Sequence, residues 1–245
     1  MKKILNKYLI VGIVFIFLFL LLMVLLNFNK ANLGETNTPV GLSSINKLFV
    51  TNYVDIYNSM SQVGLYLSFI IIVGFAITGF YQLIKRKSLF KVDLDIILFG
   101  VGVIVLIITW LLFDKIIAYN YRPIYVNKNL EGSFPSTHVL FTTFVLVSAF
   151  GISLNREKNN FYNLAILVIA ILVITLTSLC RVLSGMHWAT DVLGGLLLGL
   201  GYFFILYGIF KGLNKKEKIV KEWHWIILFS FLLDVKRLLK ALKNM

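Results

Sequence analysis

Three short segments of this chain combine cationic side chains with histidines, the residue types needed to bind and transfer a phosphoryl group. The segments are Lys115-x6-Arg122-Pro123, Pro135-Ser136-Thr137-His138 and Arg181-x5-His187-x3-Asp191. A guanidinium offers a planar pair of donors to phosphate oxygens, whereas a lysine ammonium acts as a point charge. A histidine can act as a nucleophile or as a proton donor and acceptor. These residues therefore predict a phosphate site with covalent catalysis.

The two histidines are predicted to have different roles because their neighbours differ. His187 and Asp191 are four residues apart, a spacing that places them on one face of a helix if that helix begins near His187. The carboxylate can then hold one imidazole nitrogen as N–H and leave the other free to attack phosphorus. His138 begins another apolar run, where it is positioned to protonate the leaving oxygen. The N-terminus of that helix, with free backbone N–H groups at Ser136–His138, would add to the anion site.

Each of these residues alone has a commoner structural explanation. An arginine or lysine at the end of a membrane span usually anchors the helix at the interface. Asp114 beside Lys115 could neutralise the ammonium and leave two cations for the phosphate. The joint placement favours the catalytic interpretation, since two of the three histidines and two of the three prolines fall within these segments.

Long apolar stretches must position the three segments. The 245-residue chain is 59% hydrophobic and 14% charged, which indicates a multi-pass membrane protein rather than a soluble domain. The predicted spans cover residues 8–26, 63–84, 96–113, 139–154, 161–180 and 192–210. They contain no Asp, Glu, Lys, Arg or His, which argues against ion-coupled transport. The first stretch is longer than the apolar core of a signal peptide and lacks a cleavage pattern, so we interpret it as an uncleaved anchor.

The distribution of positive charge predicts the orientation in the membrane. With a cytoplasmic N-terminus, the inside segments hold 18 of the 24 lysines and arginines, as the positive-inside rule requires. Both termini are then cytoplasmic, and the three phosphate-binding segments face outside. The net charge of +13 is thereby attributed to membrane orientation rather than to a nucleic-acid partner. Cys180 is the only cysteine, which excludes an internal disulfide and a cysteine-rich metal site.

Two segments outside the spans also have helical patterns. Apolar residues recur at helical spacing from Ile45 to Met60 and predict an interfacial helix that covers the bundle, with a substrate lid as the alternative. Residues 223–245 predict an amphipathic helix on the cytoplasmic leaflet. The predicted fold is all-α, with residues 1–222 forming a six-transmembrane-helix domain whose active site lies at the outer face.

The three segments resemble the tripartite signature of the type 2 phosphatidic acid phosphatase (PAP2) superfamily. By this resemblance His187 is the nucleophile that forms a phosphohistidine, Asp191 orients it, and His138 is first the acid and then the base for water. The residues implied to bind phosphoryl oxygens are Lys115, Arg122, Ser136, Thr137 and Arg181. The resemblance implies no metal and no other cofactor. Two positions depart from the family pattern, which usually has Gly at Thr137 and Ser at Cys180.

The resemblance implies a hydrolase that acts on a lipid phosphate or diphosphate within the bilayer. Undecaprenyl diphosphate is the first choice of substrate, because bacterial members of the family commonly act on it and the site is predicted to face outward. Phosphatidylglycerophosphate or phosphatidic acid is the alternative, and phosphoryl transfer between lipids is a third possibility. The rival from a different class is a lipid transporter or scaffold with a non-catalytic site, and the intact His138, His187 and Asp191 argue against it.

Overall fold

Seven α-helices and one small β-hairpin make up the described part of the chain, residues 7–117 and 119–214 of a computed structural model. The helices are α1 (Lys7–Leu25), α2 (Ser43–Asn46), α3 (Asp55–Arg86), α4 (Leu94–Lys115), α5 (Thr137–Arg156), α6 (Asn160–Leu183) and α7 (Ala189–Asn214). Strands β1 (Ala31–Leu33) and β2 (Thr38–Val40) pair in antiparallel register, and 3-10 turns cover Lys47–Phe49 and Leu89–Lys91. All helices except α2 are long and apolar enough to cross a membrane. The prediction of an all-α, six-span bundle is confirmed.

The largest departure from the predicted elements is at the start of α3. This helix begins at Asp55 rather than Val63, so that Met60 belongs to a spanning helix and not to a separate interfacial helix. Residues 50–54 are not helical, because Thr51 and Val54 bond to carbonyl groups at the end of α6, at 3.0 and 3.2 Å. The interfacial prediction is therefore corrected to the short α2 and the turn that follows it. The predicted tail helix at residues 223–245 lies outside the described residues.

Helix α5 occupies the centre of the bundle. In its most apolar 18-residue window 67% of the residues are buried, against 11–44% in the other spanning helices. It packs against α3, α6 and α7, while α1 lies along α7. Polar groups on the first turn of α5 are consequently enclosed by protein rather than lipid.

Two glycines bring α7 unusually close to α5. A Cβ atom at Gly195 would lie 2.7 Å from the Ser136 carbonyl oxygen, and one at Gly199 would lie 3.0 Å from the Leu140 carbonyl oxygen. Small residues four apart form a strip on one helix face and let two backbones approach within a membrane. The first turns of α5 and α7, which carry His138 and Asp191, are thereby held side by side.

An ion-pair network joins α3, α4 and α5 at the opposite end of the bundle. Arg156 donates from Nε to Asp95 at 2.8 Å, and its Nη2 lies 3.2 Å from Asp93. Asp93 also accepts from Arg86 at 2.7 Å and from Gln82 at 2.8 Å. These contacts fix the end of the bundle that lies farthest from His138 and His187.

Candidate active site

The second and third signature segments meet through a backbone hydrogen bond. The Ser136 N–H donates to the Asp191 carbonyl oxygen at 2.9 Å, and the Ser136 carbonyl oxygen accepts from Leu140 in the first turn of α5. Ser136 is completely buried, and its Oγ has no hydrogen-bond partner in the described structure. The N–H groups of a first helical turn have no acceptor within the helix. The start of α5 therefore offers a hydroxyl and backbone N–H donors to an anion.

Thr137, the first departure from the family pattern, fits its position without strain. It is the first residue of α5, and its φ angle is not among the positive values of the chain. A β-branched side chain is strongly disfavoured where φ is positive. The threonine avoids that strain and keeps the backbone N–H in place.

His187 lies in the turn before α7 rather than on the helix itself. A Cβ atom at Gly185 would come within 2.9 Å of the Thr51 carbonyl oxygen, and the φ of +69° at this residue also favours glycine. The His187 N–H then donates to the Arg181 carbonyl oxygen at 3.2 Å. His187 is 3% exposed, and its Nδ1 lies 3.5 Å from Oδ2 of Asp191. The carboxylate therefore faces one ring nitrogen and leaves Nε2 for chemistry.

Asp191 is held by groups other than the histidine. Its Oδ2 accepts from the Trp188 N–H at 2.9 Å, and its Oδ1 accepts from Asn120 Nδ2 at 3.3 Å. Asn120 in turn accepts from the Gly41 N–H at 3.2 Å, which connects the site to the loop after β2. Asn120 was not predicted from the sequence. The one sequence feature that points to it is its position as a polar residue between Lys115 and Arg122.

The electrostatic surroundings keep His187 neutral. Its pKa is lowered well below 6.5, first by burial and then by the positive charges of Arg181 and Arg122. Nε2 has no hydrogen-bond partner in the described structure. A neutral imidazole with a free lone pair beside two guanidiniums is suited to attack an anion that those guanidiniums bind.

Arg181 has unsatisfied hydrogen-bond donors although it is 1% exposed. Its Nη1 donates to Asn58 Oδ1 at 2.8 Å and to Ser61 Oγ at 3.3 Å, both on α3. Nε and Nη2 are buried and have no partner in the described structure. A buried guanidinium normally pairs with an anion. These two donors therefore mark a place for the oxygens of a bound phosphoryl group.

Arg122 contributes a second, partly enclosed cation. Its side chain is 16% exposed, and its Nε lies 3.1 Å from Glu131 Oε2. Burial lowers the pKa of Arg122, and the negative charges of Glu131 and Asp191 oppose that shift. Its carbonyl oxygen accepts from Thr36 at 2.9 Å, so the hairpin of β1 and β2 holds this segment over the site.

Lys115 is the one candidate phosphate ligand that lies apart from this cluster. Its side chain is 73% exposed and pairs with Asp114 at 2.7 Å. This is the neutralising contact considered as an alternative from the sequence. In this structure the two guanidiniums, and not the lysine, supply the buried positive charge of the site.

Helix α3 supplies a further contact that the sequence analysis missed. His138 Nε2 lies 3.1 Å from Gln62 Oε1, while His138 Nδ1 is buried and has no partner in the described structure. Gln62 belongs to the same face of α3 as Asn58 and Ser61, which hold Arg181. The spacing of these three polar residues indicates one face of a helix. It was not used for the prediction, because the predicted span began only at Val63.

Comparison with known proteins agrees with the resemblance that the three segments show. The PAP2 superfamily matches residues 110–215, which include all three signature segments. Over these residues the chain is similar to that superfamily. No curated protein matches the sequence of this chain.

The fold is similar to that of a solved structure. A transmembrane PAP2-type phosphatidylglycerolphosphate phosphatase from Bacillus subtilis superposes with a TM-score of 0.53 at 22% identity, over 86% of this chain and 98% of the other. The likeness shows the transmembrane fold. With the six long apolar helices, it supports a multi-pass membrane protein.

The donors of this site that have no partner in the described part of the chain suit an anion. Among residues 7–117 and 119–214, no group of three or more His, Cys, Asp or Glu residues is placed to hold a metal ion. Arg122, Arg181 and the start of α5 instead converge as donors around the two histidines.

Proposed function

We propose that this chain hydrolyses a lipid phosphate or diphosphate through a phosphohistidine on His187, without a metal cofactor. The observation that carries the proposal is the neutral His187 with a free Nε2, flanked by the unsatisfied donors of Arg181. A transporter or scaffold would have no need for a buried imidazole whose Nδ1 faces a fully buried carboxylate.

In the first half-reaction, Arg181, Arg122, Ser136 and the start of α5 bind the phosphoryl oxygens. His187 Nε2 attacks phosphorus, the P–N bond forms, and the bond from phosphorus to the leaving oxygen breaks. His138 donates a proton to that oxygen as it departs. Asp191 stabilises the positive charge that the attacking imidazole acquires.

In the second half-reaction, His138 is the base. It takes a proton from water, whose oxygen attacks phosphorus and breaks the P–N bond. Inorganic phosphate leaves, and His187 returns to its neutral form. Each histidine therefore ends the cycle in its initial protonation state.

Undecaprenyl diphosphate is the proposed physiological substrate, and the proposed site faces outside with both chain termini in the cytoplasm. The charge distribution supports this orientation. Phosphatidylglycerophosphate is the second candidate, because the structural relative from Bacillus subtilis is named for that substrate.

The deciding experiment measures phosphate release by purified protein in detergent with EDTA. Undecaprenyl diphosphate, phosphatidylglycerophosphate and phosphatidic acid are compared, and the His187→Ala variant is the matched control for contaminating activity. We expect hydrolysis by the wild type alone, fastest with undecaprenyl diphosphate. Loss of activity in EDTA and its return with Mg²⁺ would overturn the metal-free mechanism. Another lipid ranking first would overturn the substrate assignment only.

The orientation has its own test. A cysteine at Asn129, in a Cys180→Ala background, should react with an impermeant thiol reagent in intact cells, because residue 129 lies in the segment between α4 and α5. Labelling only after permeabilisation would place the site on the cytoplasmic side.

A further inference from the structure

The first two turns of α3 present a polar face to the active site. Asn58, Ser61 and Gln62 are spaced by three and four residues, so they project from one side of the helix. Asn58 and Ser61 bond to Arg181, and Gln62 contacts His138. None of the three belongs to a signature segment, yet they contact Arg181 and His138, two residues of the proposed mechanism.

The orientation of this face is itself fixed by hydrogen bonds. The Tyr53 hydroxyl donates to Asp55 at 2.9 Å, and Asn58 Nδ2 donates to the Tyr53 oxygen at 3.4 Å. Asn58 Oδ1 is thereby turned toward Arg181 and accepts a hydrogen bond from its Nη1 at 2.8 Å. The start of α3 is therefore held in one rotation with respect to the site, and Gln62 shares that rotation.

We propose that Gln62 is a positioning residue that holds His138 as the Nε2–H tautomer and so directs its proton transfer to Nδ1. This inference deepens the proposed phosphatase mechanism and rests on it. The amide oxygen of Gln62 lies 3.1 Å from Nε2, and an amide oxygen can only accept a hydrogen bond. In the neutral ring Nε2 then carries the hydrogen, and the buried, unpartnered Nδ1 carries the lone pair.

A neutral amide suits both stages of the reaction. Gln62 Oε1 can accept from Nε2–H whether His138 is an imidazolium or a neutral ring. The proton given to the leaving oxygen therefore comes from Nδ1, and the proton taken from water returns to Nδ1. Without this acceptor, the neutral ring can place its hydrogen on either nitrogen, and molecules with the hydrogen on Nδ1 cannot accept a proton there.

The tautomer can be measured directly by ¹⁵N NMR of histidine-labelled protein in detergent micelles. The chain has three histidines, so the His138 signals can be assigned by their loss in a His138→Ala variant. We expect the neutral His138 of the wild type to show a protonated Nε2 and an unprotonated Nδ1. Gln62→Met, which keeps the chain length and removes the acceptor, should mix the two tautomers, whereas Gln62→Glu should preserve the Nε2–H form. A wild-type ring protonated on Nδ1, or a spectrum unchanged in Gln62→Met, would overturn the proposal.

Turnover supplies the second measurement. The relative loss of activity on an alkyl and an aryl phosphate would not change if Gln62 only stabilised the fold. Gln62→Met should lower hydrolysis of an alkyl phosphate by about tenfold, the equivalent of one hydrogen bond, and should lower p-nitrophenyl phosphate hydrolysis much less. The aryl leaving group hardly needs a proton. In a His138→Ala background, Gln62→Met should have no further effect, because the residue it positions is gone.

Equal losses on both substrates, or an additive loss in the double variant, would show that Gln62 only supports the fold. The two proposals fail separately. If the wild type releases no phosphate from any substrate, the proposed function is wrong, while the NMR experiment still decides the tautomer of His138.

Discussion

Replacing Arg181 by methionine should greatly reduce phosphatase activity without lowering the stability of the protein. Methionine has a similar length and no charge, so the change removes the guanidinium but little packing volume. Arg181 is almost fully buried, and its Nε and Nη2 have no partner in the described structure. The variant thereby separates binding of an anion from support of the fold.

The expected loss of activity follows from the two free donors. A hydrogen bond to a charged group contributes about 1.5–3 kcal/mol, so two such bonds to the phosphoryl group represent about 3–6 kcal/mol. At about 1.4 kcal/mol for each factor of ten, kcat/KM should fall by about 10²–10⁴.

The expected effect on stability depends on the contacts of Arg181 in the absence of a phosphoryl group. The variant leaves Asn58 Oδ1 without the donor that it now has at 2.8 Å, which costs about 1–3 kcal/mol. It also removes two buried unsatisfied donors, each of which costs a similar amount, and a buried charge that pairs with no carboxylate in the described structure. The free energy of unfolding should therefore stay the same or rise by up to about 3 kcal/mol.

Arg156→Met is the matched control at the other end of the bundle. Arg156 is also largely buried, but it pairs with Asp93 and Asp95. Removing it leaves both carboxylates without this partner, so the variant should lose about 2–4 kcal/mol of stability. Its kcat/KM per folded molecule should stay within about threefold of the wild type, because the network does not touch the phosphate site.

The assays are phosphate release in detergent and thermal unfolding with and without vanadate, a mimic of the phosphoryl transition state. At a hundred times its Kd, vanadate should stabilise the wild type and Arg156→Met by about 2.7 kcal/mol, and should not stabilise Arg181→Met. Retention of kcat/KM within tenfold in Arg181→Met, or persistence of its vanadate shift, would show that Arg181 does not bind the phosphoryl group.

Three further predictions concern the histidines and the residues that hold them. His187→Ala should remove all turnover, whereas His138→Ala should keep measurable activity on p-nitrophenyl phosphate and lose relatively more on an alkyl phosphate. If His187→Ala retains aryl turnover, the two roles are wrong. Acid should destabilise the protein, because the folded-state pKa of His187 lies below the unfolded value of 6.5 and the unfolded chain binds the extra proton. His187 contributes a loss of up to about 1.4 kcal/mol for each pH unit below that value, and denaturant unfolding of His187→Gln should show a correspondingly smaller slope with pH. Asn120→Ala, which frees Asp191 Oδ1 from its 3.3 Å bond, should lower kcat by about tenfold with little change in KM, and an unchanged kcat would exclude this positioning role.

The transmembrane architecture of this protein was predictable from its sequence because hydrophobic length is a local property. A continuous apolar run of about 20 residues predicts a span wherever it occurs, and most helix ends differ from the predictions by only a few residues. Alternation of successive spans then places the three signature segments at one end of the bundle. The start of α3 was missed because its first two turns are polar, and no local pattern distinguishes such turns from an interfacial segment.

The detailed site depended on contacts between residues far apart in the chain. Whether a cation faces the phosphate or the solvent is decided by packing: Arg181 is enclosed by Asn58 and Ser61, whereas Lys115 at the end of α4 pairs with Asp114. Both are basic residues at the end of an apolar span, so the sequence alone did not distinguish a phosphate ligand from an interfacial anchor. Only burial and the available partners separate them.

The sequence by itself therefore determined the spans, the signature residues and the chemistry that those residue types permit. The tertiary structure decided which groups meet. Gln62 reaches His138, and Asn120 reaches Asp191, across 76 and 71 residues of sequence. Periodicity along one chain carries no information about which side chains of separate helices touch, because that depends on helix rotation and on the close approach that Gly195 and Gly199 permit between α5 and α7.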